Sequence, residues 1–65
     1  MVMVNGEQET GDVGETILDF LKKRDAPIEN IVVEQNGKII HRTDFDTTII
    51  SEYDKLELIS FVGGG

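Results

Sequence analysis

Apolar positions along the chain follow two different periods, that of a β-strand and that of an α-helix. The strand period comes first and is followed by a turn. Residues 1–4 form a short apolar run that ends at Asn5-Gly6, a dipeptide that suits the positive backbone angles of a tight hairpin turn. The return strand, about residues 7–13, is polar and contains Gly11, so we expect it to lie at a sheet edge. The chain therefore begins with a predicted hairpin.

The period changes to that of a helix after Thr16. Thr16 can cap the first turn, and Asp19 three residues later completes the spacing of a capping box. The basic run 22–24 falls at the helix C-terminus, where positive charge offsets the helix dipole, and Pro27 disfavours helical backbone at the residue before it. The apolar side chains that share one helical face are Ile17, Leu18, Phe20 and Leu21.

The second half of the chain returns to strand patterns. Residues 31–33 are β-branched throughout and lead through Asn36-Gly37 to residues 39–40, which is the strongest hairpin signal in the sequence. We expect an irregular crossing segment over residues 42–48, with Phe45 anchored in the core. A short strand at 49–50, a turn at 51–54 and a long final strand over 56–62 complete the pattern.

This order of elements predicts an α+β fold with one main helix packed on one face of a mixed sheet. A chain of this length has no other layer against which the apolar helical stripe could be buried. The predicted layout is that of a β-grasp, ubiquitin-like domain over residues 1–62, followed by a flexible glycine tail over residues 63–65.

Composition narrows the possible functions. With 65 residues, 38% of them hydrophobic, the chain is long enough for one small core, and an enclosed catalytic cleft is not expected. The absence of cysteine excludes disulfides and thiolate zinc sites. No stretch resembles a signal peptide or a membrane span, so we expect a soluble cytoplasmic protein.

The net charge argues against nucleic-acid binding, because thirteen acidic residues against six basic ones give a formal charge of −7. The acidity either favours protein partners with positive surfaces or serves only to keep a small protein dispersed. His41 is the single histidine and has no ligand set around it in sequence, so we expect neither a metal site nor a bound cofactor. No catalytic set of residues is apparent in the sequence.

The whole chain resembles the ThiS family of thiamin sulfur-carrier proteins, which are relatives of MoaD and ubiquitin. The resemblance rests on Asn5-Gly6, the helical segment 16–21, Asn36-Gly37 with 39–40, Arg42 with Phe45 three residues on, and above all the ending 61–65, Phe-Val-Gly-Gly-Gly. The chain departs from the family at His41, where proline is usual, and at Tyr53-Asp54, where a Gly-Asp pair is usual.

The resemblance implies a carrier protein that is not itself an enzyme and on whose chain terminus partner enzymes act. It implies that the carboxylate of Gly65 is adenylated by a partner enzyme with ATP and then converted to a thiocarboxylate by a sulfur donor. It also implies that Gly63 and Gly64 thread into the partner's active site. The implied partners are a ThiF-type adenylyltransferase, a sulfur-transfer enzyme and thiazole synthase (ThiG), with thiazole formation in thiamin biosynthesis as the pathway.

Other functions remain open at this stage. A MoaD-like carrier for molybdopterin synthesis and a ubiquitin-like modifier would use the same terminal glycine. A small interaction module without terminal chemistry is an alternative from another class.

Alternation along the last strand predicts a partner-binding surface. If Leu56 and Leu58 face the helix, Ile59 and Phe61 face outward. We expect Met1 and Met3 to join them, because Val2 and Val4 would be the inward pair of the first strand. The alternative is that the crossing segment or a dimer contact covers these side chains. The predicted partner-binding set is Met1, Met3, Ile59, Phe61 and Val62.

Overall fold

One helix lies across a five-stranded mixed sheet in the computed structural model, which describes residues 1–61. The strands are β1 (Val2–Val4), β2 (Glu7–Glu9), β3 (Ile31–Gln35), β4 (Lys38–Ile40) and β5 (Lys55–Ser60), and the helix is α1 (Ile17–Lys23). Two 3-10 turns lie at Ile28–Asn30 and Arg42–Asp44. The strand order is β2-β1-β5-β3-β4, with β1 parallel to β5 and every other pair antiparallel. This arrangement confirms the predicted α+β, β-grasp fold.

Both Asn-Gly hairpins form as predicted, and both are tied to the central strand. Asn5 and Asn36 have φ angles of 51° and 55°, and the glycines that follow them are also left-handed. Each asparagine side chain accepts a hydrogen bond from a β5 backbone amide, Asn5 from Leu58 at 2.7 Å and Asn36 from Lys55 at 2.9 Å. The turns therefore hold the two outer hairpins to β5.

The helix packs its predicted face onto the sheet. The Thr16 hydroxyl accepts a hydrogen bond from the Asp19 amide at 3.1 Å, which confirms the predicted N-cap. The helix ends at Lys23, before Pro27, and Asp25 closes it in a left-handed conformation with φ 56°. The buried core consists of Val2, Val4, Ile17, Phe20, Leu21, Val33, Phe45, Ile50 and Leu56.

Ion pairs join the end of the helix to β2 and to the loop that follows it. The Lys23 ammonium donates to Asp12 Oδ1 at 2.7 Å and to Glu15 Oε1 at 3.0 Å. Arg24 donates to both carboxylate oxygens of Glu9, at 2.9 and 3.0 Å. The basic run thus makes specific pairs in addition to its favourable place at the helix end.

These pairs also explain why β2 is shorter than predicted. Asp12 is 1% exposed, and its carboxylate turns toward the helix, so the chain leaves the sheet edge after Glu9 and does not continue to Val13. Burial raises the pKa of Asp12, and the hydrogen bond from Lys23 opposes that rise. The hydrogen bonds from Arg24 lower the pKa of Glu9 to about 2.

The crossing segment and the turn before β5 differ in detail from the sequence pattern. Phe45 is buried as predicted, whereas the predicted strand at 49–50 is a single bridge between Ile49 and Thr16. Burial raises the pKa of Asp54, but hydrogen bonds from the Ser51 amide, Asn36 and Gln35 outweigh it and lower the pKa overall. Asp54 thereby holds the turn that leads into β5.

Candidate docking face

The sheet surface opposite the helix carries a band of exposed apolar side chains. We call this surface the outer face. Among the described residues its apolar members are Val32 on β3, Ile39 on β4, Ile59 on β5 and Phe61 directly after β5. Ile39, Ile59 and Phe61 are 56%, 51% and 50% exposed. Large apolar side chains that cluster on a surface mark a place where another molecule can bind.

Strand alternation produces this face as predicted. Leu56 is fully buried and Leu58 packs against the core, while Ile59 lies on the opposite side of β5. The register of β3 and β5 sets Val32 directly beside Ile59. The predicted orientation of the last strand is confirmed, and the partner-binding role of these residues remains a prediction.

The two methionines do not join this part of the outer face. Because β1 runs parallel to β5 with Met3 opposite Lys55, Met3 lies four residues before Ile59, about 13 Å along the strand. Met1 and Met3 instead line a separate depression of about 170 Å³ together with Val2, Gln8 and Tyr53. The described part of the outer face therefore has two apolar regions, and the partner-binding role of Met1 and Met3 remains a prediction.

Strand β5 ends before the end of the apolar run over residues 56–62 from which it was predicted. β5 stops at Ser60, and the Phe61 amide then donates to the Asn30 carbonyl at 2.9 Å. Val62, Gly63, Gly64 and Gly65 lie outside the described residues, so their predicted roles and the boundary between domain and tail remain predictions.

Some outer-face residues were not identified from the sequence. Val32 lies between Ile31 and Val33, and alternation along that run would have placed it on the outer face. Ile39 is the exposed member of the pair 39–40 for the same reason. The pairing of these residues with β5 depends on register between strands that are distant in sequence, and no local pattern indicates that register.

Neither a group of metal ligands nor a membrane-spanning helix is found among the described residues. Over residues 1–61, histidine and carboxylate side chains form no group of three or more that could hold a metal ion. His41 is exposed and precedes the Arg42–Asp44 turn. In the same part of the chain, the helices are all too short or too polar to cross a membrane.

Fold and surface together define a small β-grasp protein with an exposed apolar sheet face beside its last strand. A family model described as the ThiS family matches residues 2–65, and the chain belongs to that family.

Solved structures of a protein from Geobacter metallireducens are similar to this chain throughout. The crystal structure of its thiamine biosynthesis protein (ThiS) has a TM-score of 0.80 at 31% identity and covers 98% of this chain and 97% of that one. A solution structure of a thiamine biosynthesis protein from the same organism has a TM-score of 0.75 at 34% identity, with 98% and 86% covered. These similarities support a sulfur carrier role.

Relatives in sequence are of two lengths. The uncharacterized protein ycf40 of Pyropia yezoensis is 33% identical over 64 residues, which is 98% of this chain and 90% of the relative. A thiazole synthase of Magnetococcus marinus is 28% identical over 64 residues, and one of Paramagnetospirillum magneticum is 27% identical. The chain spans about a fifth of the length of these two thiazole synthases.

Proposed function

We propose that this protein is a sulfur carrier for thiazole formation in thiamin biosynthesis, and that the carboxyl group of Gly65 is the group that carries the sulfur. The observation that supports the proposal most strongly is the ThiS family match, which extends from residue 2 to Gly65. The likeness to the ThiS crystal structure at a TM-score of 0.80 supports the same role for the folded body.

The proposed reaction has three steps, and partner enzymes supply the catalytic groups. A Gly65 carboxylate oxygen attacks the α-phosphorus of ATP, pyrophosphate leaves, and an acyl adenylate forms. The outer sulfur of a persulfide on a sulfur-transfer enzyme then attacks the acyl carbon, and AMP leaves. A thiol of a partner finally cleaves the sulfur–sulfur bond, so that the thiocarboxylate remains on the carrier and a disulfide on the partner side.

Three glycines suit a terminus that must enter another protein's active site. Glycine has no Cβ and adopts backbone angles that other residues avoid, so Gly63 and Gly64 would pass through a narrow channel with little steric cost. Fully extended, three residues span about 10 Å, which is enough to carry the carboxylate beyond the folded body.

The proposed partners are a ThiF-type adenylyltransferase, a sulfur-transfer enzyme and thiazole synthase (ThiG). Two thiazole synthases contain a stretch that resembles this chain, which supports an association between such a domain and thiazole synthesis. We propose that the outer face binds these partners near the tail through Ile59, Phe61 and Val62, and that Met1 and Met3 form a second contact region.

The substitution Gly64→Ala tests the adenylation step. We expect the variant to unfold at the same temperature as the wild type, because the change lies in the proposed tail. We expect isotope exchange between pyrophosphate and ATP, catalysed by the ThiF-type enzyme, to slow by about tenfold or more, since a methyl group would obstruct the channel. Exchange at the wild-type rate would contradict the proposed threading, and no exchange with the wild-type protein would contradict the proposed function.

A further inference from the structure

Two carboxylates face each other in the middle of the outer face. Glu34 of β3 lies directly opposite Glu57 of β5, and both side chains are half-buried. Among the ion pairs formed within residues 1–61, none includes either carboxylate. Like charges directly opposite in a sheet destabilise it. The stability of the sheet alone therefore does not account for two glutamates at these paired positions.

Apolar side chains frame this pair on two sides. Val32 and Ile59 form the next pair along the same two strands, and Ile39 of β4 lies beside Glu34. The cation on β5 nearest in register is Lys55, two residues before Glu57, and it is not paired with either carboxylate. A protein that covered the apolar frame would also cover the two carboxylates, and burying them without a cation would be costly.

The chemistry of the pair indicates what would cover it. A guanidinium is planar and has five N–H donors, so a single arginine can bind two neighbouring carboxylates, whereas a lysine offers one compact charge. A second copy of this chain is a poor occupant, because its own acidic pair and its net charge of −7 would repel the first. A basic side chain on a different protein provides the complementary charge.

We propose that the Glu34–Glu57 pair is a binding site for an arginine of the ThiF-type adenylating enzyme, with that arginine surrounded by apolar side chains that contact Val32, Ile39 and Ile59. This inference rests on the proposed function, which supplies the enzyme as the partner. The apolar contacts exclude water, and the arginine neutralises the repulsion that the free carrier tolerates.

The substitution Glu57→Lys separates a binding role from a structural one. It places a lysine opposite Glu34, so an unfavourable pair becomes a favourable one, and we expect the melting temperature to stay the same or rise. Binding should weaken, because the new lysine repels the incoming arginine and occupies Glu34. We expect the dissociation constant with the purified ThiF-type enzyme, measured by calorimetry on the full chain, to rise about tenfold or more.

Asp46→Lys is the matched control. Asp46 is exposed in the crossing segment away from the outer face, and its replacement changes the net charge by the same amount, from −7 to −5. We expect this variant to bind with nearly wild-type affinity. An equal loss in both variants would overturn the inference, since general electrostatic attraction would then account for the result.

Other results would distinguish a failure of the proposed arginine site from a failure of the proposed sulfur carrier function. Wild-type affinity of the Glu57→Lys variant would overturn the inference and leave the sulfur carrier role intact. Loss of binding to thiazole synthase, without loss of binding to the adenylating enzyme, would overturn the choice of partner and therefore the inference. Failure of the wild-type protein to support adenylation would instead contradict the proposed function itself.

Discussion

Phe61 is the last described residue of the chain, and half of its side chain is exposed on a surface that also contains Ile59. A side chain with this exposure contributes little to the core, but its ring offers a large apolar area to a partner. Its backbone amide donates a hydrogen bond to the Asn30 carbonyl, so the backbone that carries the ring is held in place. These features favour a docking role over a core role.

The substitution Phe61→Ala tests that role. We expect the free energy of unfolding to fall by no more than about 1 kcal/mol, since much of the ring is already in water. Binding to the ThiF-type enzyme should weaken by about tenfold or more, as measured by calorimetry. Ile49→Ala is the matched control, because Ile49 is also 50% exposed but is bridged to Thr16 beside the helix. A large loss of stability in Phe61→Ala with unchanged binding would assign Phe61 to the core.

Tyr53 shows that a residue other than glycine can occupy a left-handed position in a turn. The sequence has tyrosine where the resembling family usually has glycine, and Tyr53 adopts φ 70°, a region that glycine enters freely and other residues seldom do. Asp54 holds the turn through hydrogen bonds to its carboxylate from Ser51, Asn36 and Gln35. The local geometry is thus maintained by contacts that a sequence pattern does not display.

Strand β2 and helix α1 are joined by the pair between Glu9 and Arg24, which makes their contact dependent on pH. Because Arg24 lowers the pKa of Glu9 from 4.5 to about 2, the folded protein keeps Glu9 ionised where an unfolded chain would protonate it. The stabilisation is therefore complete above pH 4.5 and is lost as the pH falls toward about 2.

The substitution Glu9→Gln tests this link. The variant should unfold more easily than the wild type at neutral pH, and the difference should vanish as the pH approaches about 2. Urea unfolding at a series of pH values measures both results. Glu29→Gln, at an exposed glutamate that forms no ion pair within residues 1–61, is the control and should match the wild type at neutral pH. A difference that does not depend on pH would contradict the role of the ion pair.

The elements that could be predicted from sequence are those that depend on neighbouring residues. The turns at Asn5-Gly6 and Asn36-Gly37 and the cap at Thr16 are local, and each forms as expected. The end of β2 could not be predicted, because it depends on Asp12 meeting Lys23 from another element. A pair between elements is decided by packing, which the local pattern does not contain.

At the scale of the whole molecule, strand register determines which surface residues meet. The parallel pairing of β1 and β5 places Met3 beside Lys55 and away from Ile59, so the two methionines form a region of their own. The same sheet brings Glu34 opposite Glu57, although the two are far apart in sequence. The sequence could therefore predict which strand and which face of the sheet form the candidate site. It could not predict that Glu34 and Glu57 lie opposite each other at the centre of that face.

The proposed function assigns different roles to the folded body and the tail: the body binds the partner and the tail delivers the reacting group. The body has an exposed apolar face next to the end of β5, on which we propose that partners bind, and the glycines after it would carry the reacting group into the partner. Recognition and chemistry can then be altered independently, which is why substitutions at Phe61 and Gly64 are expected to affect binding and adenylation respectively.

Conversion of the Gly65 carboxylate to a thiocarboxylate can be measured by intact mass spectrometry of the purified protein after incubation with the ThiF-type enzyme, ATP, a sulfur-transfer enzyme and its sulfur source. We predict a gain in mass equal to the replacement of one oxygen by one sulfur, located on fragmentation at Gly65 and absent when ATP is omitted. An unchanged mass under conditions in which an established ThiS protein is converted, or attachment of Gly65 to a lysine of another chain, would contradict the proposed conversion.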